Sequence, residues 1–282
     1  MSQTLSGYIT EVRRLLHDAS GNFYTDSQLT DYINSARDRI VRDTGCLRQI
    51  QITQVPCTPV PGGAAPVMWA ANTYVTTGQY LMYNIFLYEV IAPGTTASVP
   101  PPYPAQNQNY PPSSPFYNGT AELQYAGPAE VINVSCLPAG TQTLDVLNIN
   151  LFWGNTRIPM RYLPWTQFNA QLRFWQNNVQ RPIAFSAFGQ NQIFVGPVPD
   201  EIYTIEVDSV VLPLPLVYST DVDSINNPYT NPVKFYAAYL AKYYEQSFGE
   251  AEIFKQEYKT QTQAVLVSTY TRRIPDPYST PF

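Results

Sequence analysis

A single histidine, His17, stands in 282 residues, and the three cysteines, Cys46, Cys57 and Cys136, show no CxxC spacing. Zinc needs about four converging ligands, so a Cys/His metal site is excluded by count. A serine or cysteine nucleophile needs a base within about 3 Å. His17 is the one imidazole on offer, and it sits beside Asp18 in a charged helical stretch where a helix-end or surface role is the simpler reading. The thiols read as buried or idle. Charge is scarce as well, at 13% Asp, Glu, Lys and Arg, about half of what soluble domains usually carry. No apolar run approaches the ~18 residues of a membrane span, and Met1 to Arg14 lacks the basic-then-apolar order of an export segment. The chain is therefore expected to be soluble and made in the cytoplasm. There is no Walker A sequence and no GxGxxG, so nucleotide hydrolysis and dinucleotide binding have no support.

What the chain has in quantity is aromatic side chains, 22 of them tyrosine, and 26 prolines. Its length permits a genuine apolar core. Residues 1–48 hold six basic and six acidic side chains around two helical stripes, Ile9, Val12, Leu15, Leu16 and then Leu29, Tyr32, Ile33, Ala36, Ile40. Ser20-Gly21-Asn22 marks the turn between them, Thr25 with Gln28 is a capping box, and Gly45 is a stop. Such a hairpin covers its own apolar stripe poorly and needs another element or subunit against it.

From Gln49 to Thr120 the only charged residue is Glu89. Gln49–Val55 and Gln79–Ile91 read as strand or hairpin. The proline-rich stretch 92–117 can be neither helix nor central strand, and reads as a long loop or arm lying on a neighbouring surface. Ala121–Val134 and Thr143–Phe152 are strand candidates, with Leu147, Ile149 and Leu151 alternating with Asn148 and Asn150. A short helix over Trp165–Gln176 is expected to pack through Phe168, Leu172 and Trp175, with Arg161 and Arg173 solvated. Gln192–Val195 and Ile202–Val211 are expected to pair, with Tyr203, Ile205 and Val207 inward and Thr204, Glu206 and Asp208 outward. A long helix is predicted from Pro232 to Val267, broken at Gly249.

The expected architecture is α+β. A helix hairpin and a long C-terminal helix form a helical body, joined by a strand-rich centre with a long insertion and followed by an extended tail. The corresponding segments are 1–55, 56–120, 121–216, 217–270 and 271–282.

Candidate chemistry is thin. Glu201, Glu206, Asp208, Asp221 and Asp223 are close in sequence and are the carboxylates an acid/base pair would draw on, but nothing orients them to a cleft. Asp221, Asp223, Ser224 and Asn226 offer hard oxygens without EF-hand spacing, so a solvated turn is the simpler reading. Arg37, Arg39 and Arg42 alternate with Asp31, Asp38 and Asp43, which suits an intra-helix and intersubunit ionic lattice better than a phosphate-reading row, and the net charge of −5 argues the same way. An aromatic-rich, charge-poor chain suits assembly interfaces, which enrich aromatics and deplete charge at their centres.

Four stretches carry a resemblance. YITEVRRLLHDASGNFYTDSQLTDYINSARDRIVRDTGCLR (8–48), WGNTRIPMRYLPWTQFNAQLR (153–173), RPIAFSAFGQNQIFVGPVPDEIYTIEVD (181–208) and VKFYAAYLAKYYEQSFGEAEIFKQEY (233–258) with RRIPDPY occur in the order found in head-to-tail adaptor, or connector, proteins of tailed, podovirus-like bacteriophages. The chain resembles that family over about two thirds of its length, and 56–118 departs from its compact pattern.

The resemblance implies a structural virion protein at the head–tail junction, made in the host cytoplasm, without catalytic residues, cofactor or metal. It implies a homo-oligomeric ring of about twelve copies beneath the phage portal protein, offering a surface to the tail nozzle or tail tube protein and a channel for double-stranded DNA, with no membrane partner. The helices at 6–18, 27–44 and 232–267 would form the ring body, and the strands including 192–211 would face the tail. Phe194 and Tyr203 would fill the strand core. The portal-docking tail would act through Arg272, Arg273, Ile274, Pro275, Tyr278 and Phe282. With −5 per chain, about twelve chains would sum to about −60, a like-charged wall past which DNA moves without sticking. Two alternatives are another tail, nozzle or decoration protein and a virion-associated cell-wall hydrolase. A DNA-binding module is a third.

Overall fold

The computed structural model describes residues 3–57, 65–102, 114–172, 179–189 and 191–270. The chain forms two compact units, one built from its two ends, residues 1–48 with 210–282, and one from residues 49–209. The α+β expectation holds. Among the described residues, four α-helices belong to the terminal unit, and one short α-helix and nearly all strand residues belong to the central one. The helices are α1 (Leu5–Leu15), α2 (Asp26–Thr44), α3 (Trp165–Gln171), α4 (Val233–Tyr244) and α5 (Phe248–Tyr270).

In the terminal unit Val12 and Leu16 of the first predicted stripe and Leu29, Ile33, Ala36 and Ile40 of the second are buried, Ile9, Leu15 and Tyr32 are only partly so, and the α1 stripe runs instead through Leu5 and Tyr8. Leu5, Tyr8, Val12 and Leu16 meet Leu29, Ile33, Ala36, Ile40 and Val41 of α2 and Val233, Ala237, Ala238 and Ala241 of α4. Each fully buried Leu, Ile or Val contributes about 1.5–3 kcal/mol. The Thr25–Gln28 capping box is formed, and Gly45 closes α2 at φ 61. His17, exposed at φ 57, turns the chain out of α1, as expected of a helix-end residue. Behind it Asp18 is buried and accepts from the backbone N–H groups of Asn22, Phe23 and Tyr24, while Arg13 spans Asp18 at 3.0 Å and Asp26 at 2.7 Å. Burial opposes the charge on Asp18, but these three N–H groups and Arg13 prevail and hold its carboxyl below the ordinary value.

The C-terminal helix is not one helix broken at Gly249. The break falls at residues 245–247, where Gln246 adopts φ 64 and Gln246 and Ser247 return N–H bonds to the carbonyls of Tyr243 and Lys242. Gly249 lies inside the first turn of α5. The chain then folds back, bringing Tyr258 to Tyr236 and Glu250 to Lys242.

The central unit holds β1 (Arg48–Val55), β2 (Val67–Met68), β3 (Tyr74–Val75), β4 (Tyr80–Tyr83), β5 (Phe86–Ala92), β6 (Gly94–Thr95), β7 (Phe116–Asn118), β8 (Ala121–Pro128), β9 (Val131–Asn133), β10 (Thr143–Trp153), β11 (Thr156–Pro159), β12 (Arg161–Tyr162), β13 (Ala184–Phe188), β14 (Gln192–Gly196) and β15 (Tyr203–Val211). Three sheets run β1-β15-β10-β11, β12-β13-β14-β9 and β2-β4-β5-β8-β7, and β3 pairs with β6.

Three expectations are corrected here. β14 and β15 do not pair: both edges of β14 are taken, by β13 and β9, so the chain after Gly196 crosses to another sheet and places β15 between β1 and β10. Glu206 is not on a solvated face. It is buried, held by Arg157 at 3.0 Å and by the Asn150 amide at 3.1 Å. Ile149 and Leu151 face the core as read, but Leu147 is 44% exposed. Phe194 and Tyr203 are both buried. α3 buries Phe168, while Arg173 and Trp175 lie outside the described residues.

The start of the stretch read as an arm is fastened rather than free. Asn118 accepts from Ala97 N–H and Trp69 Nε1 and donates to the Val99 carbonyl. Thr95 and Thr120 exchange three further bonds. Residues 103–113 lie outside the described residues.

Candidate assembly surface

The surface is built on α2. Its apolar stripe contains an intruder, Arg37, one turn after Ile33 and 1% exposed. Arg37 donates to Asp223 Oδ1 at 2.8 Å, to the Leu214 carbonyl at 2.9 Å and to Asn34 Oδ1 at 3.0 Å. Asp223 also accepts from Ile225 N–H at 2.9 Å and from the Tyr8 hydroxyl at 2.6 Å. Burial, and then the Asp223 charge, raise the Tyr8 phenol well above its ordinary value, so it stays a donor.

These bonds fix the loop between β15 and α4. Asn34 grips Leu216 in both directions, donating to its carbonyl at 3.0 Å and accepting its N–H at 2.9 Å. Asp221 Oδ2 accepts from Val217 and Tyr218 N–H, each at 2.8 Å, and those two bonds hold its carboxyl below the ordinary value. Leu5 and Ser6 N–H reach the carbonyls of Asp221 and Ser219. The backbone is thus tied at almost every residue, yet Leu214, Val217, Tyr218 and Val222 are between 58% and 72% exposed. A buried ionic network holds a row of apolar side chains out in solvent.

Around α2 on its other flank lies a groove of about 530 Å³ against α4, with Tyr32, Tyr236, Leu240 and Tyr244 as apolar walls and Asp31, Asp38, Arg39 and Arg42 along its rim. Tyr32 and Tyr244 stack with ring centroids 5.5 Å apart. From there an aromatic row continues through Tyr243, Tyr239 and Tyr236 to Tyr258, with Phe248 against Tyr243. Such pairs add about 0.5–1.5 kcal/mol beyond area burial, and Tyr243, Tyr244 and Phe248 remain exposed. Arg39 is bound to Asp43 at 3.0 Å, an interaction that raises its pKa. Asp38 is half-buried, and that burial raises its carboxyl in spite of Arg42 and Arg37. Arg42 has no ion-pair partner among the described residues.

The arginine row of α2 therefore divides three ways. Arg37 is a core ion, Arg39 forms an intra-helix pair with Asp43 of the kind expected, and Arg42 stands on the groove rim. Asp221 and Asp223 are not a solvated turn, since both carboxylates are committed to the loop and its anchor. No cluster of three or more metal-ligating side chains occurs among the described residues, and among them no helix is long and apolar enough to cross a membrane. Glu201 is exposed, and Glu206 is occupied by Arg157 and Asn150. The expected portal-docking residues Arg272, Arg273, Ile274, Pro275, Tyr278 and Phe282 lie outside the described residues. Asn34 and the exposed loop escaped the sequence reading. The available signal was a charged residue, Arg37, inside an apolar helical stripe, which demands a buried counter-ion.

A family model described as SU10 adaptor protein matches residues 118–280, more than half of the chain. No curated protein matches it. The matched segment starts at Asn118, the residue that fastens the preceding insertion, and runs through β8–β15, α3, the exposed loop, α4 and α5.

Proposed function

This chain belongs to the SU10 adaptor protein family, whose members serve at the phage head–tail junction, and from that premise we propose that it closes into a ring of about twelve copies between portal and tail. The protein is a structural head-to-tail adaptor of the virion. The observation that carries this is the family match across 118–280. The terminal helical unit supplies the ring body, with the exposed loop 214–222 and the α2/α4 groove as its subunit-facing surfaces. The tail 271–282 docks on the phage portal protein, Arg272 and Arg273 through carboxylates and Ile274, Pro275, Tyr278 and Phe282 through apolar pockets. The opposite end of the ring receives the tail nozzle or tail tube protein. The net charge of −5 per chain favours passage of double-stranded DNA over retention.

Deletion of 271–282 tests the docking role. The truncated protein should keep its helical signal and thermal melt and lose co-sedimentation with portal. Normal co-sedimentation would overturn the assignment.

A further inference from the structure

A ring closed by one repeated contact is heterologous: each subunit presents two different, complementary patches. Two such patches flank α2. The hollow beside Pro215–Val217 is lined by Thr30 and Asn34 of α2 and the groove by Ser35, Arg39 and Arg42, and the two adjoin at Asp31, which lines both. The loop is a projecting knob and the groove is a recess, and one rigid helix carries both.

Their chemistry matches. The knob offers apolar Leu214 and Val217 and the Tyr218 phenol, 68%, 66% and 72% exposed. The groove offers aromatic walls and a half-buried carboxylate, Asp38, with no hydrogen-bond donor among the described residues. The groove rim carries Arg42, without an ion pair among the described residues, and Asp31, which also lines the hollow beside the knob. The knob backbone is already fixed by Asn34, Arg37 and Asp221, so docking costs it little ordering entropy, which is how pre-organised anchors gain affinity.

We infer that loop 214–218 of one copy seats in the α2/α4 groove of the next, with Tyr218 donating to Asp38 and Val217 packing against Tyr32 and Tyr244. This rests on the ring reading above. It makes the contact asymmetric and gives the buried Arg37–Asp223 pair an assembly role, that of presenting the knob.

Two single-cysteine variants, Val217→Cys and Tyr244→Cys, test it when mixed under oxidation. Each chain brings one new thiol, so a disulfide joining the two is necessarily between copies. The expected result is a crosslinked dimer in the mixture well above that in either variant alone, with assemblies still visible by electron microscopy. Tyr218→Glu should keep the helical signal and melting temperature and reduce closed assemblies to background. Assemblies in the mixture without the crosslink, or normal assemblies from Tyr218→Glu, overturn the knob-and-groove contact and leave the ring standing. If the unsubstituted protein forms no closed assembly, alone or with portal, the ring reading itself falls and takes this contact with it.

Discussion

Replacing Asp223 by alanine removes the anchor of the exposed loop, and the size of the effect follows from what is left behind. The carboxylate accepts three bonds, from Arg37 Nη2 at 2.8 Å, Ile225 N–H at 2.9 Å and Tyr8 OH at 2.6 Å. Without it the Arg37 guanidinium, 1% exposed, keeps two neutral acceptors, the Leu214 carbonyl and Asn34 Oδ1. Breaking a buried ion pair from one side costs about 3–5 kcal/mol, a shift of roughly a hundred- to several-thousand-fold in the folding equilibrium. Arg37→Met should cost less, because the remaining carboxylate keeps two donors, the Tyr8 hydroxyl and Ile225 N–H. Arg37→Met/Asp223→Leu should fall well short of the sum of the single losses, since no uncompensated charge remains. Urea unfolding gives the totals, and amide exchange at Leu216, Val217 and Tyr218 reports the loop itself. A loss under about 1 kcal/mol for Asp223→Ala, or simple additivity in the double variant, would show that Asp223 does not anchor a buried charge.

Other perturbations have equally definite expectations. Gly119 sits at φ 73, and a Cβ there would collide with the Thr95 carbonyl oxygen, so Gly119→Ala should detach the 94–99 segment, seen as faster amide exchange at Thr95–Ala97, whereas unchanged exchange would contradict it. Asp18 and Asp221 both have depressed pKa values in the folded chain. Their stabilisation is therefore complete above the ordinary carboxylate range and lost as pH falls through the folded values; melts from pH 6 to 3 should drop, less steeply in Asp18→Asn, and a superimposable pH profile would refute this. Burial pushes the Cys57 thiol up to about 11, so it should resist a thiol reagent at pH 8 until denaturant is added. Thr25→Ala should cost about 1 kcal/mol through loss of the capping box, measured by urea unfolding, with no change in midpoint as the contrary result.

Helix positions were legible because α1, α2 and α4 carry period-3.6 stripes with explicit caps, Thr25 with Gln28 at one end of α2 and Gly45 at the other. Strand positions were legible too, but their partners were not. Ile202–Val211 follows Gln192–Val195 after a short Gly-Pro turn and reads as its hairpin mate, yet pairing depends on which edges are already filled, and β9 and β13 fill both edges of β14. Glu206 was misread for a related reason. Alternation along β15 assigns it to solvent, but Asn150 of β10 and Arg157 of β11 convert that face to a satisfied buried one. The assembly surface was the least visible part. The aromatic excess pointed to interfaces, whereas the knob depends on Arg37 meeting Asp223 across 186 residues of sequence, a pairing that no local pattern encodes.

The working form proposed for this adaptor is a closed ring at the head–tail junction, and it is tested by the mass and symmetry of the assembly, imaged for the protein alone and mixed with its portal. A closed ring of about twelve copies, formed spontaneously or on addition of portal, is the predicted result; a protein that stays strictly monomeric and ignores portal would contradict it.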